Sequence, residues 1–274
     1  MEARFNGIAR RVSITLSDIQ DHAPRIADCA LRVAGLMREI YVADVPSIVQ
    51  RLAAEVATAA AAAIAERGLF SIALAGGSVA TECFASLAAL PLPWNAVHFF
   101  WADERAVPPT DPESNFAAAS RLWLEPARVP STSVHRMHAD SEDLIGAAED
   151  YALELARVLG PQPTLDVALL GMGPDGHIAS LFPDHPVLRE RERLAAAVTD
   201  APKPPPQRLT LTLPILTGAR RVIVVAFGPS KSTALAEAVE REASRLPVAQ
   251  LLRLAQSPLV LADEQAGATL TGRA

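Results

Sequence analysis

Cysteine and aromatic side chains are scarce in this sequence. Among 274 residues there are 2 cysteines, and aromatic residues make up 5%. Cys29 and Cys83 lie far apart and form no CxxC pair, so we expect neither a disulfide framework nor a cysteine-based metal site. We interpret both residues as buried free thiols, as in proteins of a reducing compartment.

A long uncharged apolar segment is also absent. The chain has no run of about 18 or more such residues, the length that a membrane-spanning helix needs. Its Ala-rich stretch Val56–Ala65 is bracketed by charges at Arg51, Glu55, Glu66 and Arg67, as in a buried helix. The N-terminus lacks the basic and then apolar layout of a secretory signal. We therefore expect a cytoplasmic protein that does not bind a membrane.

The sequence contains fewer basic than acidic residues. The sequence has 25 Lys and Arg against 31 Asp and Glu, which gives a net charge of −6. Because broad nucleic-acid binding needs a basic surface, no nucleic-acid partner is expected. A small anionic substrate remains compatible with this balance, since one local cluster of Arg and Lys is enough to bind it. No feature predicts an obligatory protein partner.

Short apolar runs alternate with stretches of helical length along most of the chain. The runs predicted as strands are Glu39–Ala43, Leu69–Ala75, Val97–Ala102, Leu165–Leu170, Leu209–Leu213 and Val222–Phe227. The predicted helices are Pro46–Arg67, Val79–Leu90, Glu113–Leu124, one capped by Asp140 or Ser141 that runs to Leu159, and Ser230–Glu242. This alternation predicts an α/β fold, with helices on both faces of a mostly parallel sheet. Ligands of such sheets bind outside the carboxyl ends of the strands.

Two segments fall outside this alternation. Residues 1–36 carry no strong pattern apart from helical spacing near Ile26–Leu36, and we treat them as an N-terminal extension of unknown role. Residues 37–274 then form a single α/β domain, which is long enough to bury a large apolar core. The proline-rich stretch Ala201–Gln207 is too short for a domain linker, so we interpret it as a wall of a site.

Two predicted strand ends are suited to binding an anion. Gly76-Gly77-Ser78 follows one strand and opens a helix, so its backbone can approach a ligand and offer free N–H groups to an anion. A plain tight turn is the alternative there. After the next strand, Arg105 is suited to a bidentate grip on phosphate, and Asp103 to orienting a base or a hydroxyl. The alternative for these charges is a surface ion-pair cluster.

Two further strand ends carry a base and a cation. His177 closes the stretch Gly171-Met172-Gly173-Pro174-Asp175-Gly176-His177. A histidine with a pKa near its ordinary value of about 6.5 is a suitable general base at neutral pH. The glycines around it leave room for a substrate and expose N–H groups to a developing oxyanion. Lys231 follows the last strong strand and offers a point charge to an anion, with a solvated first-turn lysine as the alternative.

Two nucleotide-binding patterns occur in incomplete form. The glycines before His177 satisfy GxGxxG after a strand, but Pro183 and Pro186 limit the next helix to about two turns. A dinucleotide fold needs a full crossover helix at that point. The stretch Gly228–Ser232 resembles half of a Walker A loop but lacks the glycine before its lysine. Neither pattern predicts a nucleotide cofactor.

At these residues the sequence resembles the 6-phosphogluconolactonase family, from about Glu39 to the C-terminus. The most specific stretch is GMGPDGHIASLFPDHPVL (Gly171–Leu188), which is similar to the DGH-containing loop of that family. WADERAVPPTDPESNF (Trp101–Phe116) resembles its Asp-Glu-Arg segment and downstream Ser-Asn. Its proline loop and its terminal lysine segment have counterparts in PKPPPQRLTLTLPIL (Pro202–Leu216) and GPSKSTAL (Gly228–Leu235).

The resemblance implies a Rossmann-like α/β fold shared with glucosamine-6-phosphate deaminases. It also implies hydrolysis of 6-phospho-D-glucono-1,5-lactone to 6-phosphogluconate in the oxidative pentose phosphate pathway, with no metal and no organic cofactor. His177 would be the general base, and Asp103 and Asp175 would support it. The implied substrate and phosphate contacts come from Gly76, Gly77, Ser78, Arg105, Gly173, Arg208 and Lys231, with Lys203 beside them in the same basic lining.

One motif departs from the family. Its glycine loop usually reads Gly-Gly-Ser-Thr-Pro, whereas this chain reads Gly76-Gly77-Ser78-Val79-Ala80. Loss of the Thr hydroxyl removes one phosphate or sugar contact, and loss of the Pro loosens the start of the helix. The cradle of backbone N–H groups does not depend on either side chain.

The expected mechanism follows from the chemistry of the substrate. A δ-lactone is an activated ester, so a positioned base and an anchored distal phosphate form a sufficient apparatus. His177 would deprotonate a water that attacks the carbonyl carbon, and N–H groups near Gly173 or Gly76 are candidates for the oxyanion.

Two alternatives stay open at this point. A deaminase-like isomerase needs further acidic residues near its histidine, yet none follows His177 before Asp184. A non-catalytic sugar-phosphate sensor would use residues 1–36 to bind a partner. Turnover of the lactone distinguishes both alternatives from a lactonase.

Overall fold

A seven-stranded sheet forms the centre of the molecule. The computed structural model describes residues 30–33 and 36–271, with side chains from residue 39 onward. The strand order is β1-β2-β10-β9-β6-β3-β4, and every pair is parallel except β1 with β2. The strands are β1 (Ala30–Val33), β2 (Leu36–Ala43), β3 (Phe70–Leu74), β4 (Val97–Trp101), β6 (Val167–Gly171), β9 (Arg221–Ala226) and β10 (Pro258–Asp263). The predicted α/β class with a mostly parallel sheet is confirmed.

Continuous burial explains why the central strands consist of uninterrupted apolar residues. Every residue of β3 and of β10 is buried, because helices pack against the sheet. Strands of this kind do not alternate in polarity. The helices are α1 (Val45–Arg67), α2 (Ser78–Ala88), α3 (Asn115–Ala119), α4 (Leu144–Leu159), α5 (Leu213–Thr217), α6 (Ser232–Glu240) and α7 (Pro247–Leu254).

Helix α1 is long and apolar enough to cross a membrane, judged by length and composition only. In the fold it packs against β2, β3, β10 and α2. Its buried residues recur at helical spacing, namely Ile48, Leu52, Val56, Ala60 and Ala63. Its Glu55 forms ion pairs with Arg51 and Arg221. These contacts are typical of a helix that covers the core of a soluble protein.

A second, three-stranded antiparallel sheet was not predicted. It consists of β5 (Asp103–Arg105), β8 (Arg208–Leu211) and β7 (Ala195–Val198), in the order β5-β8-β7. Strand β5 directly follows β4, so the chain passes from the large sheet into the small one at Ala102. This small sheet places Arg208 opposite Arg105.

Several predicted elements need correction. The helix expected near Ile26–Leu36 is wrong where the chain is described, since Ala30–Val33 is a strand and Leu36 begins another. Helix α4 is capped by Asp143, which accepts from the Gly146 N–H, and not by Asp140 or Ser141. The division of the chain at residue 37 stays a prediction.

Two further predicted helices differ in the structure. The one over Glu113–Leu124 is α3 continued by a π-helical segment, Ser120–Leu124. In the described chain, the only helical segment between His177 and β7 is the short 3-10 turn Pro186–Arg189. The crossover helix of a dinucleotide fold is therefore absent there, as the two prolines predicted.

Candidate active site

Four adjacent strands of the large sheet deliver the candidate residues to one place. Strands β9, β6, β3 and β4 are neighbours, and their carboxyl ends lead into the four loops that the sequence singled out. A cavity of about 180 Å³ lies at these ends. Its lining includes nine of the ten predicted site residues, namely Gly76, Gly77, Ser78, Asp103, Arg105, Gly173, His177, Arg208 and Lys231. The tenth, Asp175, contacts His177 directly.

The loop after β6 presents His177 to this cavity. Asp175 Oδ1 lies 2.5 Å from His177 Nδ1, and the Phe182 ring packs 4.8 Å from the imidazole centroid. Gly173 must be a glycine here, because a Cβ at this position would overlap the His177 ring. Gly176 has φ of 76°, a left-handed value that glycine adopts without strain. The glycines of this loop therefore serve the placement of the histidine.

The protonation pattern of His177 follows from its neighbours. Burial raises the pKa of Asp175. The hydrogen bond to His177 and the nearby charge of Lys203 outweigh this effect and lower the pKa to about 2. An ionised carboxylate only accepts hydrogen bonds, so Nδ1 carries the proton and donates to Asp175. Burial lowers the pKa of His177 from its ordinary value, and Lys203 adds to this, against the opposing effect of Asp175. At neutral pH the imidazole is thus uncharged, and Nε2 has a free lone pair.

Lys203 contacts both Asp175 and the Nδ1 side of the His177 imidazole. Its Nζ lies 3.0 Å from Asp175 Oδ1 and 3.3 Å from His177 Nδ1. Because Nδ1 carries a proton, the lysine and the histidine are two donors that share one carboxylate oxygen. The ammonium therefore stabilises the ionised Asp175 and opposes a positive charge on His177.

Two cations stand apart from this cluster and face the cavity. Arg105 donates through Nη1 to the Glu113 carbonyl at 2.6 Å, while its buried Nε has no partner in the described chain. Lys231 lies in the 3-10 turn Pro229–Lys231 that follows β9. Burial lowers the pKa of Lys231, as does the charge of Lys203. Both cations are suited to a ligand that brings its own negative charge.

The turn after β3 offers backbone donors to the same cavity. Gly77 has φ of 64° and precedes α2, which begins at Ser78. Within the described chain, the N–H groups of Gly76, Gly77 and Ser78 donate to no backbone acceptor, as expected at a helix N-terminus. Gly76 must be a glycine because a Cβ there would overlap the Asn115 amide. Donors of this kind bind a phosphate or an oxyanion.

The oxyanion donor proposed at Gly173 is not available. The Gly173 N–H donates to the His177 carbonyl at 2.8 Å, a bond within the loop that carries His177. In the described chain, the N–H groups of the Gly76 turn, and those of Asp175 and His177 beside Gly173, donate to no backbone acceptor. Gly173 lines the cavity as a residue without a side chain.

Asp103 is held rigidly at the floor of the cavity. It is 5% exposed. The Asn115 Nδ2 donates to its Oδ1 at 3.1 Å and to its backbone carbonyl at 2.8 Å, and the Ser180 Oγ donates to its Oδ2 at 2.7 Å. Each carboxylate oxygen therefore accepts one hydrogen bond, which fixes Asp103 as part of the polar wall near the histidine.

Arg208 is engaged mainly with the proline-rich loop. Its Nε and Nη2 donate to the carbonyls of Lys203, Pro204 and Pro205 at 2.9–3.2 Å. Its guanidinium also stacks over Phe182, 5.6 Å from the ring centroid. Arg208 thus holds the loop that carries Lys203 against Phe182, which packs on the His177 ring. A contact between Arg208 and the substrate phosphate stays a prediction.

Sequence reasoning did not single out Asn115 or Ser180 as site residues. Asn115 begins α3, and Ser180 lies after Ala179, which has a positive φ of 46°. The signals were the Ser-Asn pair downstream of the Asp-Glu-Arg segment and the Ser in the stretch after His177. Their partner, Asp103, lies on a different strand end, so only the fold reveals the contact.

Comparison with known proteins agrees with this geometry. Residues 43–260 match the family described as Glucosamine-6-phosphate isomerases/6-phosphogluconolactonase. The chain belongs to this family. Among its relatives, the 6-phosphogluconolactonase of Mycobacterium tuberculosis is 44% identical over 187 residues, which are 65% of this chain and 76% of that protein. The 6-phosphogluconolactonase of Synechocystis sp. is 38% identical over 228 residues, 81% of this chain and 94% of that protein.

Solved structures of the family share the fold. The 6-phosphogluconolactonase from Trypanosoma cruzi has a TM-score of 0.77 and 27% identity, and the match covers 85% of this chain and 96% of that one. The enzyme from Thermotoga maritima has a TM-score of 0.74 and 28% identity, over 82% of this chain and 99% of that one. The resemblance inferred from the sequence motifs is confirmed.

Proposed function

We propose that this member of the family hydrolyses 6-phospho-D-glucono-1,5-lactone to 6-phosphogluconate, with His177 as the general base. The observation that carries the proposal is the His177 imidazole, whose Nδ1 is held by Asp175 and whose Nε2 has no partner among the described residues. The same cavity holds Lys231 and Arg105, and the buried Nε of Arg105 has no partner in the described chain. The names of the relatives support the same substrate. The reaction belongs to the oxidative pentose phosphate pathway.

The geometry supports a direct attack by water. The Nε2 lone pair of His177 removes a proton from a water as that water attacks the lactone carbonyl carbon. The negative charge that develops on the carbonyl oxygen is stabilised by a backbone N–H group that faces the cavity. The ring oxygen then leaves as the C5 hydroxyl and takes up the proton held by His177, so the histidine is regenerated.

Arg105 and Lys231 hold the phosphate at the other end of the substrate. Anchoring this distal group orients the ring and reduces the entropy lost in reaching the transition state. The backbone N–H groups beside Ser78 add to the grip. Val79 is buried in α2 and contributes no hydroxyl, so the cradle relies on the backbone.

An isomerase reaction is less well supported by the site. Proton shuttling along a sugar needs a free acid beside the base. Among the described residues that line the cavity, Asp103 is the one carboxylate, and both of its oxygens already accept hydrogen bonds. Glucosamine 6-phosphate is therefore expected to release no ammonia in the presence of this protein.

We further propose that the protein acts in the cytoplasm on a free small molecule. The packing of α1 into the core supports this location. Some plant relatives are named chloroplastic, so the location is tested by fractionation of the cell of origin. Recovery in a membrane or organelle fraction would contradict the proposal.

The test of the reaction uses lactone generated in situ by oxidation of glucose 6-phosphate at C1. The His177→Ala variant should lose about 10²–10⁴-fold in kcat with little change in KM, because the base acts in the transition state. His138→Ala, an exposed histidine outside the cavity, is the matched control and should keep the full rate. Near-normal turnover by a folded His177→Ala protein contradicts this role, and 6-phosphogluconate binding without any turnover would favour a sensor.

A further inference from the structure

A second and larger cavity lies outside the candidate active site. Its volume is about 450 Å³, which is within the range of about 300–1,000 Å³ typical of small-molecule sites. It lies between the 3-10 turn that follows β6 and the segment that joins α6 to α7. The charged residues in its wall are Asp184, His185, Arg189, Glu242, Arg245 and Arg253.

Three arginines of this wall have no partner. Among the described residues, the side chains of Arg189, Arg245 and Arg253 form no hydrogen bond and no ion pair. Arg253 is half-buried, and its Nη1 is enclosed by protein without any acceptor. An enclosed guanidinium N–H without an acceptor is rare, because the group loses its hydration and gains nothing in return. The Nε and Nη2 groups of the same guanidinium are not enclosed and are available to an acceptor that enters the cavity.

The acidic groups of the wall do not neutralise the arginines. Asp184 and Glu242 are both exposed to solvent, and neither pairs with the three guanidinium groups in the described chain. His185 is engaged elsewhere, since its Nε2 lies 2.9 Å from Asp200 Oδ1 and its Nδ1 accepts from the Val187 N–H. The unpaired groups that remain are three planar donors, which suit phosphate or carboxylate oxygens.

The segment that lines this cavity also packs on the catalytic loop. Leu246 contacts Gly176 so closely that a Cβ on the glycine would lie 3.0 Å from its Cδ1. The Val248 N–H donates to the Gly176 carbonyl at 3.0 Å. Gly176 separates Asp175 from His177, so the wall of the second cavity abuts the loop that holds the general base.

We propose that this cavity is a second anion-binding site, which takes a small metabolite with two or more phosphate or carboxylate groups. Three separate guanidinium groups grip such a ligand at several oxygens. The contact between Leu246 and Gly176 places this site beside the loop that carries His177. This proposal does not depend on the reaction proposed above.

The test is calorimetric titration of the full chain with pyrophosphate and, separately, with citrate. The titrations use the Lys231→Gln variant, whose proposed active-site phosphate contact is removed, without 6-phosphogluconate. They are repeated in its presence, because 6-phosphogluconate itself carries a phosphate and a carboxylate and competes wherever such a ligand binds. One equivalent of at least one probe should still bind. Arg245→Gln and Arg253→Gln should each weaken that binding about tenfold, the effect of losing one charge-assisted contact. Arg241→Gln, an exposed arginine of the same segment that is not in the wall, should not change it.

The outcomes separate the two sites. Tighter pyrophosphate binding assigns a phosphorylated ligand, and tighter citrate binding assigns a polycarboxylate. Unchanged affinity for 6-phosphogluconate in Arg245→Gln and Arg253→Gln shows that these variants are folded. The proposal is overturned if neither probe binds to the Lys231→Gln variant, or if both arginine substitutions leave the binding unchanged. Failure of 6-phosphogluconate itself to bind would contradict the proposed reaction and not the second site, which the Lys231→Gln series still measures.

Discussion

Asp175 is the residue on which the chemistry of His177 depends. Its Oδ1 accepts from both His177 Nδ1 and Lys203 Nζ, at 2.5 and 3.0 Å. The carboxylate orients the ring and favours a positive charge on it, whereas the ammonium opposes that charge. Burial and Lys203 together keep the pKa of His177 below its ordinary value. If His177 is the general base, as proposed, it acts in its neutral form, and we expect this arrangement to extend activity toward lower pH.

The first consequence is a pH dependence controlled by Lys203. In Lys203→Met the positive charge that lowers the pKa of His177 is gone, so this pKa should rise. The acidic limb of kcat/KM against pH should then move to higher pH, since a larger fraction of His177 is protonated at each pH below neutrality. The profile is measured with in situ lactone at constant ionic strength.

Lys203→Arg is the matched control for charge. It keeps a cation beside Asp175, so its acidic limb should stay close to that of the natural sequence. An acidic limb that does not move in Lys203→Met would show that the ammonium has no part in setting the pKa of His177. A shift of equal size in Lys203→Arg would assign the effect to loop geometry and not to charge.

Two single residues, Arg105 and Lys231, are proposed to bind the substrate phosphate. Arg105→Ala and Lys231→Ala should each weaken binding of 6-phosphogluconate by about 1.5–3 kcal/mol, the contribution of a hydrogen bond to a charged group. The buried, unpartnered Nε of Arg105 and the half-buried ammonium of Lys231 motivate this expectation. Calorimetric titration measures the affinity, with the exposed Arg241→Ala as a control. Unchanged affinity in both variants would place the phosphate elsewhere.

At the scale of elements, one buried carboxylate organises the start of α3. Glu104 in β5 is 3% exposed. Its Oε1 accepts from the N–H groups of Arg105 and Asn115, and its Oε2 from the Phe116 N–H and the Ser114 hydroxyl, at 2.7–3.0 Å. It occupies the N-terminus of this helix and thereby fixes Asn115, which in turn holds Asp103. The structural carboxylate of Glu104 thus lies between Asp103 and Arg105, which are both assigned to the site.

The Glu104→Gln substitution tests how much these hydrogen bonds contribute to the stability of the fold. The substitution keeps the shape of the side chain but replaces one oxygen by an NH₂ group, which then faces N–H or O–H donors in either orientation. We expect a loss of about 1–3 kcal/mol in the free energy of unfolding, the cost of a buried unsatisfied polar group. Urea unfolding measures it, with the exposed Glu125→Gln as a control expected to change little. Equal stability of both variants would show that the network contributes nothing.

At the scale of the whole molecule, the parallel core was predictable because its strands are buried on both faces. A strand such as Val167–Gly171 is an unbroken apolar run, so the sequence distinguishes it from the charged helical stretches around it. The four strand ends of the site followed from the same pattern. Their convergence at one cavity required only the rule that ligands bind at the carboxyl edge of such sheets.

Strand β10 (Pro258–Asp263) and helix α7 (Pro247–Leu254) were missed, although β10 is a nearly unbroken apolar run. Two other missed elements lack a local signal. Strand β5 is Asp103–Arg105, a charged tripeptide whose extended form depends on pairing with Arg208–Leu211 about a hundred residues away. Residues 26–36 have apolar positions at helical spacing, yet Ala30–Val33 pairs with the edge of the sheet. In both cases tertiary pairing overrides local preference. The hydrogen bonds of Asn115 and Ser180 to Asp103 are likewise long-range contacts.

The boundary at residue 37 leads to the last prediction. Strand β1 contacts the sheet at one edge only, where its four residues pair with Leu36–Glu39. The strands that carry the site, β9, β6, β3 and β4, lie on the far side of β10 from this edge. A protein that starts at Met37 should therefore fold and keep its lactonase turnover.

The truncation should still lower thermal stability. Removal of β1 exposes the N–H and C=O groups of β2 to water, which costs roughly 1–3 kcal/mol for a short edge ladder. For a protein of this size that corresponds to a Tm lower by roughly 3–10 °C. Thermal melting and lactonase rates of the truncated and full-length proteins, compared at equal dilute concentration, measure both effects. Dilution matters because an exposed strand edge promotes association between copies. Lost activity, or a Tm lower by more than about 15 °C, would show that residues before Met37 are an integral part of the domain.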